Sequence, residues 1–125
     1  MCLNTLWSEE RAKKWLRRQK SPLIVYNVAR TTVTGRYIPT YWDGLYRKGW
    51  NKAHPPPNPI TDYVPYFHRW YSFRVARKWK QGLSSRYVLR WRIRKRDVTA
   101  VGTQAHHIVI VCKRAYLMGE VKTKR

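Results

Sequence analysis

Hydrophobic and polar positions along the chain alternate with two different periods, and these mark out the regular elements. Ala12, Trp15, Leu16 and Gln19 recur at helical spacing, while Arg11, Lys13, Lys14, Arg17 and Arg18 fill the remaining directions. Ser8 is a suitable N-cap for this helix. Glu9 and Glu10 in its first turn complement the helix dipole, and Ser21-Pro22 stops it. Leu23 to Ala29 is a run of β-branched, apolar and aromatic residues and predicts a buried strand, with Thr31 to Gly35 turning or pairing back. Ser72 caps a second predicted helix, Phe73 to Gln81, which Gly82 ends. Phe73, Ala76 and Trp79 or Lys80 share its inner face, and Arg74, Arg77 and Lys78 point away. Tyr87 to Arg94 shows the clearest pattern of all. Its odd positions are apolar or aromatic and three of its even positions are Arg, which is the signature of a half-buried strand. Asp97 to Gly102 reads as a turn-like connection and His107 to Cys112 as a further apolar strand.

Between these elements lies a stretch without a legible period. Residues 36–67 hold six of the seven prolines together with Tyr37, Tyr41, Trp42, Tyr46, Trp50, Tyr63 and Tyr66. It reads as a long, irregular Pro/aromatic-rich excursion pinned by its rings, with Pro55-Pro56-Pro57-Asn58-Pro59 as a stiff spacer. Residues 120–125 read as a basic tail that frays. The order of elements predicts an α+β fold in one basic domain over residues 1–125, with a small, mostly antiparallel sheet and two short basic helices.

Composition adds one dominant fact. The chain carries 27 Lys and Arg against 6 Asp and Glu, a formal charge of +21. Solubility alone asks for a magnitude of ~2–8 in a small domain. Self-repulsion at this density opposes compaction and calls for a compensating anion, so nucleic acid or a nucleoprotein complex is the expected partner. Two isolated cysteines, Cys2 and Cys112, make no disulfide framework and fit a reducing, intracellular compartment. No apolar run approaches the ~18 residues of a membrane span.

The candidate chemistry follows the charge. Alternate residues on one strand face stand ~6.6 Å apart at ~3.3 Å per residue, so Arg90, Arg92 and Arg94 form a ladder of guanidinium forks for phosphate oxygens. Lys95 and Arg96 extend it. Lys13, Lys14, Arg17 and Arg18 on the first helix, and Arg74, Arg77 and Lys78 on the second, would widen the footprint. A solvated sheet face is the plainer reading of the same arginines. His68 and Arg69, in Phe67-His68-Arg69-Trp70-Tyr71 just before a helix, are candidate phosphate ligands, and His68 is the best single catalytic candidate, though a structural histidine is the commoner outcome. Tyr41, Trp42, Tyr46 and Trp50 are candidates for base stacking, whereas Trp15, Trp79 and Trp91 sit at core spacing.

Metal chemistry is disfavoured. His106 and His107 adjoin on a predicted strand and so point to opposite faces, no Cys or His pair has ligand spacing, and only Glu9 and Glu10 among the acids are neighbours. No cofactor is implied. A Met1-Cys2 start leaves one enzymatic possibility, a cysteine exposed by loss of Met1 and activated by its own amine.

Met1-Cys2-Leu3, a strand ending near Tyr26, an aromatic-His-x-x-x-Ser-Phe segment (Phe67, His68, Ser72, Phe73) before an Ala-containing helix, Ala100-Val101-Gly102 and a closing strand Ile108 to Cys112 occur here in sequence. This order resembles small uncharacterised proteins of bacteriophages and mobile elements. The resemblance implies a viral or mobile-element origin and a role in meeting host nucleic acid or host defence complexes, and it assigns no site residues. The expected function is therefore non-enzymatic binding of a phosphate backbone with little sequence preference. The alternative is an interaction protein, either a subunit of a nucleoprotein assembly or an inhibitor that binds an acidic protein surface.

Overall fold

A computed structural model describes residues 5–31, 37–39, 46–53, 67–80 and 86–121. Strand β1 (Thr5–Leu6) leads into helix α1 (Glu9–Arg18), where Ser8 Oγ accepts from the Arg11 backbone N–H at 3.2 Å as the sequence predicts. Ala12 is buried, and Trp15 and Leu16 pack against the core. Then follow β2 (Leu23–Thr31), β3 (Tyr37–Pro39), β4 (Gly49–Lys52), β5 (Phe67–Trp70), helix α2 (Phe73–Lys80) and β6 (Arg86–Ile93). A turn of 3₁₀ helix (Lys95–Asp97) precedes β7 (Val98–Gln104), β8 (His107–Cys112) and β9 (Arg114–Val121). The fold is α+β, and among the described residues every strand pairing is antiparallel.

The sheet is larger than the sequence pattern suggests. Its nine strands run β1-β7-β8-β5-β2-β6-β9-β4, and β3 pairs beside β2. Strands β8 and β9 are joined by Lys113 alone, yet β5, β2 and β6 lie between them in the sheet. One residue can make that passage only if the sheet curls on itself, with a bent strand serving both halves as a corner. Lys113 is that corner: its N–H donates to Asp97 O and its carbonyl accepts from Ala53 N–H, both at 2.9 Å. The inner cluster fills the curl, with Leu23, Val25, Leu89, Trp91 and Ile93 on one side and Ile110 and Cys112 on the other. A second cluster of Trp70, Val75, Ala76, Val88 and Val109 lies on the outer face, where α2 docks.

Several sequence expectations are corrected here. Residues 98–102 form part of β7 rather than a turn, because their partner β8 completes the ladder. The turn lies later, at Ala105 and His106, whose φ angles of 49° and 67° give the positive pair of a tight hairpin without glycine or asparagine. His106 is therefore a turn residue. Phe67–Trp70 is a strand, and β9 carries residues 120 and 121 inside the sheet. The excursion contains β3 and β4; residues 40–45 and 54–66 lie outside the described residues, as do Gln81, Gly82 and most of Thr31 to Gly35.

Candidate nucleic-acid interface

Position in β6 decides what its arginines can reach. Leu89, Trp91 and Ile93 point into the inner cluster, so Arg90 and Arg92 project from the opposite face. Register then places Ile24 of β2, Arg92 of β6, Tyr116 of β9 and Trp50 of β4 in one row across four strands. Arg92 Cζ lies 4.6 Å from the Tyr116 ring centroid, Arg94 Cζ lies 4.4 Å from Trp50, and Arg90 Cζ lies 5.9 Å from Tyr26. Each guanidinium is thus held over a ring, an attraction of ~0.5–1 kcal/mol at exposed sites. A cation–π contact uses none of the guanidinium's five N–H donors as a hydrogen bond, and a phosphate fork needs two of them.

A second cation pair continues the face. Lys52 and Arg114 oppose one another on β4 and β9, both exposed, on the side of their strands that carries Trp50 and Tyr116. Their strands gave no periodic signal, so sequence reasoning missed them. The bulge that sets this register falls between Arg90 and Trp91, where Arg90 pairs with Gly119 and Trp91 with Leu117. Gly119 has φ +138°, a conformation that side chains rarely adopt, and Met118 is left as the extra, exposed residue.

One carboxylate modifies the ladder. Asp97, buried in the 3₁₀ turn, accepts from Arg94 Nε at 2.9 Å, so Arg94 is partly committed to the fold. Arg90 and Arg92 have no such carboxylate in the described ion pairs. Lys95 is half-buried and Arg96 exposed beyond the end of the ladder.

Helix α2 adjoins this face, since the Phe73 ring packs 5.4 Å from the same Tyr26 that carries Arg90. Arg74, Arg77 and Lys78 are exposed along it. Trp79, at core spacing, is instead 38% exposed and stacks on Trp70 at 5.7 Å. Lys13, Lys14, Arg17 and Arg18 belong to a different surface, because α1 packs on the inner cluster and the ladder leaves from the other side of β6. Lys13 and Lys14 pair with Glu9 at 2.9 Å and Glu10 at 3.4 Å; Lys13 holds the Glu9 carboxyl below its ordinary value through a hydrogen bond and its charge. These exposed pairs are worth little and leave the helix basic.

His68 and Arg69 are removed from the surface. Both are buried, His68 at 4% and Arg69 at 3% exposure, because β5 lies inside the sheet with β8 and β2 beside it. Arg69 lies among the rings of Phe67, Trp91 and Tyr46, donates to His68 O at 2.9 Å and to the Tyr46 hydroxyl at 3.4 Å, and its buried Nε has no partner among the described residues. The rings divide similarly. Tyr46, a stacking candidate by sequence, is buried against Trp91 at 4.8 Å, while Trp50 is 43% exposed. Tyr41, Trp42 and Cys2 lie outside the described residues.

Cys112 is fully buried, and that burial, outweighing the opposing pull of Arg69, pushes its thiol up to about 12. A thiol of this kind is inert. An acid whose folded pKa lies above its unfolded value stabilises the fold below the unfolded pKa and loses that contribution as pH rises through the folded one. Stability is therefore expected to fall as pH rises from about 9 towards 12. Denaturant titrations across that range check it: Cys112→Ala should flatten the alkaline limb, and an unchanged limb would refute the assignment. Among the described residues no His, Cys, Asp and Glu group has the arrangement to hold a metal ion. Comparison with protein-family models, curated proteins and solved structures gives no match.

Proposed function

We propose that this chain is a non-enzymatic nucleic-acid-binding protein that holds a phosphate backbone on the outer face of β2, β6, β9 and β4. The observation that carries the reading is the line of three guanidiniums seated on Tyr26, Tyr116 and Trp50, continued by Lys52 and Arg114. Such a face supplies charge and forked donors in fixed positions, and phosphate contacts of this kind give affinity without reading sequence. Arg74, Arg77 and Lys78 on α2 widen the same footprint.

A second reading has its own support. Trp50 and Met118 stand exposed among the arginines, and Trp, Met and Arg are the residues enriched at protein interfaces. In this reading the face docks on an acidic protein surface, as a subunit of a nucleoprotein complex or as an inhibitor.

Anisotropy titrations of labelled single- and double-stranded DNA and RNA at several salt concentrations separate the two. Neutralising ~6 phosphates gives a log–log slope near −5 on duplex DNA. A slope shallower than about −2, or no binding to any of the four at low salt, would reject the phosphate grip and leave the protein partner.

A further inference from the structure

Helix α1 carries a cationic surface that the ladder cannot share. An open groove of about 510 Å³ lies along it, lined by Trp7, Ser8, Glu10, Arg11, Lys14, Trp15 and Arg18. Arg11, Lys14 and Arg18 stand at helical spacing and form one stripe, roughly 10 Å long at ~1.5 Å per residue. The stripe repeats the device found on the ladder: Arg11 Cζ lies 4.1 Å over the Trp7 ring.

The floor of the groove is packed into the fold. Trp7 meets Trp15 edge-on at 6.0 Å, and Trp15 meets Tyr71 at 5.0 Å while packing on the inner cluster. The Trp7 backbone N–H donates to Val101 O at 3.0 Å, which ties the groove to β7. Glu10 occupies the N-terminal rim, where it pairs with Lys14 at 3.4 Å. Both groups are largely exposed, so this pair is readily exchanged for another anion. Arg11 and Arg18 carry no carboxylate in the described ion pairs.

We propose that this groove is a second backbone-binding site, so that one protein molecule holds two nucleic-acid segments, one on the ladder and one on α1, with the core between them. The inference rests on the reading of the ladder given above and adds to it a bridging activity. Charge complementarity selects the occupant: an open, cationic groove with ring-stacked guanidinium suits an extended polyanion rather than an enclosed small ligand.

The test uses two duplexes of the same sequence, one immobilised on beads and the other fluorescent and free. Wild-type protein should retain the fluorescent duplex on the beads at low salt. The variant Arg11→Ala with Arg18→Ala keeps helix propensity at both exposed positions. It should bind one duplex in solution within about threefold of wild type, yet retain the second at least tenfold less well. Retention by the variant equal to wild type, or no retention by wild-type protein that binds a single duplex, would overturn the second site and leave the ladder reading standing. Failure of wild type to bind even one duplex would overturn both. Circular dichroism of the variant excludes loss of the helix as the cause.

Discussion

Replacing Arg90 and Arg92 together by alanine is expected to weaken nucleic-acid binding roughly 100-fold, uniformly across sequences, at about 1.5 kcal/mol for each charge-assisted hydrogen bond removed. Both side chains leave the outer face of β6, both are exposed, and both have their guanidinium over a ring. Without them two phosphates keep their counterions, so the magnitude of the salt slope should fall by about two. Arg94 is left in place deliberately. Its loss would strand the buried Asp97 carboxylate and mix a folding defect of about 1–3 kcal/mol into the binding result. Titrations of the double variant against two unrelated duplexes provide the check. Affinity within threefold of wild type would move the site away from β6, and a loss confined to one sequence would indicate base reading instead of a phosphate grip.

The largest effect on stability is expected at Trp91. It is fully buried, touches the rings of Tyr46 and Phe67, lies 4.5 Å from the Arg69 guanidinium carbon, and donates from Nε1 to Asn27 Oδ1 at 2.6 Å. Asn27 in turn donates to the Tyr46 hydroxyl at 3.2 Å. Trp91→Ala removes the ring on which this network rests and should cost about 4 kcal/mol, lowering Tm by roughly 10–20 °C. Trp91→Phe keeps much of the volume but leaves the buried Asn27 oxygen without its donor, for about 1–3 kcal/mol. Urea denaturation of the two variants measures both terms. Equal losses would mean that the hydrogen bond to Asn27 carries the whole effect and the ring's packing none of it, and a loss below about 1 kcal/mol in Trp91→Ala would remove Trp91 from the centre of the core.

Helix α1 and β6 are legible in the sequence because each keeps one period, β2 because it is an unbroken run of β-branched, apolar and aromatic residues, and α1 carries its own cap in Ser8. What could not be read depends on partners. Strand β7 contains Thr99, Gly102 and Thr103 and has the composition of a connection, yet β8 on one side and β1 on the other make it a strand. In β9 the bulge at Met118 and Gly119 breaks the period of two. The hairpin at Ala105 and His106 lacks the residues that normally announce its geometry.

The site shows the same division. The arginine ladder is visible in β6, whereas the rings beneath it come from three other strands and depend on register between them. Arg69 is the instructive opposite. Arginine is rarely buried, so a basic residue beside a histidine suggests a surface, although period two already places Arg69 on the side of its strand that carries Phe67.

The corner at Lys113 also governs how the molecule can be made. Strand β1 pairs with residues 102 and 103, β4 waits for β9, and both halves of the sheet depend on one bent strand late in the order of elements. Such pairings cannot form piecemeal during synthesis, so the emerging chain stays open for longer than a chain of local hairpins would. Its positive charge, however, is present as soon as α1 has been translated. A polyanion that binds the open chain as well as the folded one lends the fold no stability. The curl of the sheet therefore sets the order in which charge and fold arrive: the basic helix α1 first, the ladder's partner strand β9 last.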